Sequence, residues 1–121
     1  MINESEQIFW LIDAQISEGR RDDVVAIMEK LVALTHASEP GALCYEWWTS
    51  EDGARLFIFE RYADSDAALT HLANVGPHLG ALMGAITMGP LMIFGPASEG
   101  LRAAGASLGA SFAVHLGGFT R

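Results

Sequence analysis

Residues 43–62 read LCYEWWTSEDGARLFIFERY, and this stretch decides the fold. Ser50-Glu51-Asp52-Gly53 is a cluster of turn formers between two aromatic runs, Leu43 to Thr49 and Arg55 to Tyr62, which is the pattern of a β-hairpin. Side chains alternate along a strand, so Leu56, Ile58, Glu60 and Tyr62 share one face while Phe57, Phe59 and Arg61 share the other. Glu60 is therefore a carboxylate on an otherwise apolar face. A group there is either paired or shifted in pKa. Trp47 and Trp48 fall on opposite faces, one toward helices or a partner and the other toward a cavity.

Upstream of the hairpin, Ile8 to Ile16 reads as a strand with Ile8, Trp10, Ile12, Ala14 and Ile16 on one face. Its other face runs from Phe9 and Leu11 to Asp13 and Gln15, which suits a cavity or a subunit contact better than open water. From about Arg21 to Ser38 the apolar residues recur at helical spacing, with Asp22 and Asp23 in the first turn, where they complement the helix dipole. Glu39-Pro40-Gly41 is read as the stop of that helix. Downstream, Asp64 or Ser65 caps a short helix through Ala73, and Gly76-Pro77 starts a second one striped by Leu79, Leu82, Met83 and Ile86. Gly89-Pro90 introduces a fourth strand, Leu91 to Gly95, apolar on both faces and so expected to be buried on both. The order β-α-β-β-α-β, with a split second helical region, is the ferredoxin-like α+β pattern. Residues 97–121 are an addition to a core of about 8–96: a helix from Ser98 to Ala106 and a short strand from Ser111 to Gly117.

The bulk composition narrows the function. The chain has 121 residues and half are hydrophobic, which fits one domain with a real core. Fifteen acidic residues against seven basic ones give a formal net charge of −8, which argues against nucleic acid and against anionic membrane surfaces as partners. Cys44 is the sole cysteine, so no intrachain disulfide is expected. Met1 to Gln7 carries two glutamates and no basic run, so no signal peptide is expected there, and the cytoplasm is the expected compartment. There is no Walker motif, no dinucleotide-binding G-x-G-x-x-G, no G-x-S-x-G elbow and no metal-ligand spacing among the four histidines and Cys44, so no cofactor or metal is expected.

Three motifs carry a resemblance. Glu60-Arg61-Tyr62, Ala67-Ala68-Leu69 and His71-Leu72-Ala73-Asn74 together resemble the pattern of the antibiotic-biosynthesis monooxygenase family. Glu39-Pro40-Gly41 before the second strand is similar to that family as well, and the resemblance spans nearly the whole chain. It implies a dimeric α+β barrel, in which two ferredoxin-like sheets pack across a two-fold axis. It also implies one of several activities: oxidation of phenols or quinols without a cofactor, haem degradation, or none. The haem-degrading branch uses an Asn, a Trp and a His where this chain offers Asp13, Tyr62 and His78 at the nearest positions, so two of the three differ.

Oxidation of a phenol or quinol without a cofactor needs a base, an orienting donor and a dry pocket. His71 is the candidate base, since a neutral imidazole accepts a proton near pH 7. Its plain alternative is a half-buried helix histidine bonded to a neighbouring carbonyl. Glu60 and Tyr62 are the candidate acid and donor; their alternatives are a pair with Arg55, Arg61 or a helix histidine, and a core-capping ring. Asp13, Trp48 and His78 are candidate ligand contacts. Asp13 could equally join two subunits, Trp48 could be core, and His78, taken to start a helix, could simply be exposed. His36 reads as a helix C-terminal cap, and His115 has no partner that can be named. Two functions stay open: a cofactor-independent monooxygenase-like homodimer acting on a small aromatic substrate, and a non-catalytic dimeric binder of an apolar ligand. A buried Glu60–His71 contact beside an open pocket would favour the first, and a pocket filled by Trp and Phe the second.

Overall fold

The computed structural model describes residues 4–121. The first three residues of the N-terminal stretch in which no signal peptide is expected lie outside the described residues. After a 3-10 turn at Glu4–Glu6 come β1 (Ile8–Ile16), α1 (Arg21–Ser38), β2 (Ala42–Thr49), β3 (Arg55–Tyr62), α2 (Ser65–Met83), β4 (Ile86–Phe94), α3 (Glu99–Ser107) and β5 (Ala110–Ala113). The sheet order is β2-β3-β1-β4-β5. All pairings are antiparallel except β4 with β5, which is parallel. The first four strands are the ferredoxin-like arrangement, and β5 extends it on the β4 edge.

Strand alternation divides every strand between two environments. Ile8, Trp10 and Ala14 of β1, and Leu56, Ile58, Glu60 and Tyr62 of β3, are buried beneath the helices. Across β1 and β3 these positions sit in register, Trp10 opposite Glu60 and Ile8 opposite Tyr62. The hairpin turn forms as expected: Gly53 adopts φ +75°, and Asp52 Oδ1 accepts from Ser50 Oγ at 2.6 Å and from Ala54 N at 3.0 Å.

Four expectations change. The split helix is one continuous helix, because Pro77 lies inside α2 and does not start a new one. Its fixed φ is helical, and the buried stripe Ala68, His71, Val75, Leu82 runs through it without a phase change, so packing carries the helix across the missing N–H. β4 begins at Ile86, not Leu91. The register moves from Ile12↔Leu91 to Ala14↔Met88, so Gly89 and Pro90 together face the single residue Asp13 in a bulge. A Cβ on Gly89 would stand 2.6 Å from the Asp13 carbonyl oxygen, which is why glycine occupies the bulge. Nor is β4 buried on both faces of this chain, for Thr87, Pro90 and Met92 are exposed. Finally, the tail strand ends at Ala113. Phe112 packs on the core, whereas Val114, Leu116 and Phe119 are exposed.

Among the described residues no helix is long and apolar enough to cross a membrane. The sheet face away from the helices carries exposed Phe9, Leu11, Phe59 and Met92, with Phe9 stacked on Phe94 at 4.8 Å between ring centroids. Trp48 shares this face and is 54 % exposed.

Candidate active site

One buried histidine organises the helix-covered side. His71 sits on the inward stripe of α2 and is 2 % exposed. Its Nδ1 lies 3.1 Å from Oε1 and 3.3 Å from Oε2 of Glu39, and its Nε2 lies 3.2 Å from Oε1 of Glu60. The same Glu60 oxygen accepts the Tyr62 hydroxyl at 2.5 Å. Asn74 Nδ2 donates to Glu39 Oε2 at 3.1 Å. The result is a continuous row, Asn74–Glu39–His71–Glu60–Tyr62, buried except at its half-buried Asn74 end and contributed by α2, β3 and the segment after α1.

Each member is placed by a local rule. Glu60 and Tyr62 are two residues apart on β3 and so share its inward face. His71 and Asn74 are three apart on α2, hence neighbours on one helical face. Glu39 follows the last residue of α1; its backbone N–H still bonds to Thr35 O at 3.0 Å, and that turn carries its carboxylate inward, where it is 4 % exposed.

Two carboxylates on one imidazole define the electrostatics. Burial by itself lowers the His71 pKa, but the hydrogen bond to Glu60, the charges of Glu60 and Glu39 and the bond to Glu39 outweigh it, and the pKa rises above the ordinary 6.5. With a proton on each nitrogen the ring donates to both carboxylates, which is the arrangement that leaves neither buried anion unpaired. Tyr62 and Tyr45 are pushed well above the ordinary tyrosine range, first by burial and then by the Glu60 charge, so both stay phenols. Tyr45 meets the His71 ring edge-on at 4.8 Å, and Tyr62 lies 5.2 Å away, tilted, so the imidazole is held between two aromatic rings.

Beside this row lies a cavity of about 260 Å³. Glu60, His71 and Tyr45 form its polar end, and aliphatic residues such as Ile58, Val75, Leu82 and Leu91 form the rest. Leu101 of α3 packs into the neighbouring core. Among the described residues no group of three or more His, Cys, Asp or Glu has the arrangement of a metal site.

The residues singled out in the sequence divide cleanly. His71, Glu60 and Tyr62 come together at the cavity. Asp13 and Trp48 do not, because their strand parity turns them to the open face, where both Asp13 oxygens accept from Arg55 Nη2 at 2.8 Å. His78 is mid-helix in α2, not at a helix start, and it does not line the cavity although it is half-buried. Glu60 pairs with the helix histidine and not with an arginine. Glu39, Asn74 and Tyr45 were not anticipated. Asn74 is three residues from His71, and that spacing could have found it. Nothing local marks Glu39, because Glu-Pro-Gly reads equally well as a helix stop.

The fold and this site define a ferredoxin-like α+β protein with a row of ionisable, hydrogen-bonded side chains beside an apolar cavity. The family model for antibiotic biosynthesis monooxygenase matches residues 8–83, and the chain belongs to that family. Among solved structures, MupZ from Pseudomonas fluorescens is similar with a TM-score of 0.85 at 22 % identity, covering 96 % of this chain and 95 % of that one. SnoaB from Streptomyces nogalater, described as a cofactor-independent oxygenase, matches with a TM-score of 0.64 at 19 % identity, over 77 % of this chain and 95 % of its own. Protein SO0527 from Shewanella oneidensis matches with a TM-score of 0.61 at 23 % identity, over 77 % and 90 %. At these identities the likeness is one of fold. Among curated proteins there is no significant match.

Proposed function

We propose that this chain is a cofactor-independent monooxygenase-like enzyme that removes a proton from a small phenol or quinol-type substrate and lets the resulting anion react with O2. The observation that carries the reading is the buried Glu60–His71 contact of 3.2 Å beside an open, mainly apolar cavity. A pocket filled by Trp and Phe would have favoured a purely structural role, and this cavity is walled chiefly by aliphatic side chains.

In this reading Glu60, not His71, receives the substrate proton. Both ring nitrogens of His71 are engaged, and its pKa is raised, so it serves as the fixed cation that orients Glu60 and offsets the charge of Glu39. Tyr62 holds Oε1 of Glu60, which leaves Oε2 for the ligand. The phenolate then gives one electron to O2, and the radical pair joins to a peroxide anion at the activated ring carbon, which takes back the proton from Glu60. The freed Glu60 carboxylate removes the remaining C–H proton as the O–O bond breaks, and the departing hydroxide leaves with that proton as water. The net change at that carbon is CH2 plus O2 to C=O plus water, with all four electrons drawn from the substrate. The apolar walls keep competing water away.

The working unit is a homodimer closed through the open sheet face, whose exposed Phe9, Leu11, Phe59 and Met92 resemble half of an apolar interface. The setting is the cytoplasm, where Cys44 stays a free thiol.

The test is oxygen uptake by the purified protein with a panel of anthrones and quinols, in the presence of a chelator. One O2 consumed per substrate, with one labelled oxygen atom from ¹⁸O2 in the product, is expected. Glu60→Gln should lower the rate on the order of 10²–10⁴-fold, the usual worth of a positioned proton transfer. Activity abolished by the chelator, or unchanged in Glu60→Gln, would overturn the mechanism. Ligand binding without turnover across the panel would favour the non-catalytic binder.

A further inference from the structure

The cavity has two unlike ends. At one end stand Glu60, His71 and Tyr45. Further along α2 from His71, Leu79 and Met83 line the other end, as does Leu108, the residue after α3. Met83 and Leu108 line the cavity, yet they are 42 % and 47 % exposed, so they stand at its mouth.

Leu108, one side of this mouth, belongs to a segment beyond the family model, which ends at residue 83. SnoaB aligns over nearly its whole length with only 77 % of this chain, whereas MupZ covers 96 %. The segment is seated firmly. A Cβ on Gly105 would stand 2.8 Å from Ile93 Cδ1 and 3.0 Å from the Phe112 ring, so α3 lies with its backbone against β4 and β5. Leu108 N bonds to Gly105 O and Gly109 N to Ala106 O, both at 3.0 Å, and Gly109 at φ +78° turns the chain into β5. Leu108 is thereby held at the rim by hydrogen bonds on both sides.

The size of the space bears on what fills it. A cavity of roughly 150 Å³ accepts a benzene ring, and this one measures about 260 Å³. A single ring placed against Glu60 leaves apolar volume unfilled toward the mouth. Met83 and Leu108 continue that apolar lining to the surface.

We propose that the ligand is amphiphilic: a phenol-type head at the Glu60–His71 end and an apolar substituent of several carbons that runs out between Met83 and Leu108. In this account α3 and the turn after it set substituent preference, with Met83 and Leu108 as specificity-determining residues. The identity of the head rests on the function proposed above; the tail rests on the mouth alone.

The experiment is calorimetric titration of the full chain with two homologous series, 4-alkylphenols and n-alkylbenzenes, from methyl to hexyl. Affinity should rise about fourfold for each methylene that becomes buried, with parallel slopes and tighter binding of the phenols. Leu108→Ser and Met83→Ser, at exposed positions that tolerate the change, should each flatten the gain for butyl to hexyl and leave the methyl compound within about twofold. No chain-length gain in either series, or an equal loss for methyl and hexyl in both variants, would overturn the proposal. Alkylbenzenes that follow the slope while phenols gain nothing over them would leave the mouth intact and remove the phenol head.

Discussion

The two faces of this sheet are made by the same strands and meet opposite fates. On the covered face Glu60, His71 and Glu39 form ionisable contacts at 3.1–3.3 Å while each is less than 5 % exposed. On the open face Asp13 and Arg55 form a contact that is shorter, at 2.8 Å, but their side chains are 40 % and 50 % exposed. Distance alone would rank the second pair higher. Solvation reverses the order, because water screens the exposed charges and competes for their hydrogen bonds. The difference shows that burial, and not distance, sets how strongly these ionisable groups are coupled.

The largest effect should come from removing one buried partner. Glu39→Ala leaves His71 Nδ1 without its acceptor and the Asn74 amide with Ser38 Oγ alone, and a buried pair broken on one side typically costs about 3–5 kcal/mol. Urea unfolding that registered less than about 1 kcal/mol would place Glu39 on the same footing as a surface carboxylate. Next comes the open face as the interface of the proposed dimer. Phe59→Asp puts a charge into the exposed apolar patch and should weaken dimerisation by about 2 kcal/mol or more, which ultracentrifugation over a concentration series would register. A variant that associates as the parent does would move the dimer contact elsewhere.

The pH dependence sharpens the same contrast. The folded-state pKa of His71 is raised, so its contribution to stability is full below the unfolded value of 6.5 and is lost as pH rises through the folded value. Thermal melts should therefore show the parent losing part of its advantage over His71→Gln as pH climbs from about 6.5 upward. An advantage that grew with pH would mean that the ring is buried neutral. The smallest effect belongs to Asp13→Ala. An exposed bridge is worth about 0.2–1 kcal/mol, and high salt should erase even that difference. Turnover should be unaffected in the same variant, as Asp13 does not reach the cavity.

What the sequence discloses follows the reach of its patterns. Strand periodicity has a range of a few residues, and β1 and β3 begin and end where it puts them, with Glu60 and Tyr62 on the inward face. Patterns fail where tertiary contact overrules a local rule. Pro77 marks a helix start by propensity, but the continuous buried stripe of α2 absorbs it. Gly89-Pro90 reads as the entry to the fourth strand, yet it is a bulge inside β4, determined by the approach of Asp13 from the neighbouring strand. Residues that meet across long separations are hidden altogether. Glu39 and His71 are 32 positions apart, and only the packing of α1 on α2 brings them together. Asp13 and Trp48 show the converse: their chemistry suggested ligand contact, while their parity assigned them to the other face.

In the proposed site His71 is a buried cation held by two carboxylates, and its ring nitrogens report on this directly. Long-range ¹H–¹⁵N NMR of the labelled protein, followed from pH 5 to 9, resolves the protonation of each nitrogen. The account predicts protons on both Nδ1 and Nε2 at pH 7 and a titration above 6.5 that moves back down in Glu39→Gln and in Glu60→Gln. A single neutral tautomer at pH 7, with a titration at or below 6.5 that neither substitution moves, would contradict it.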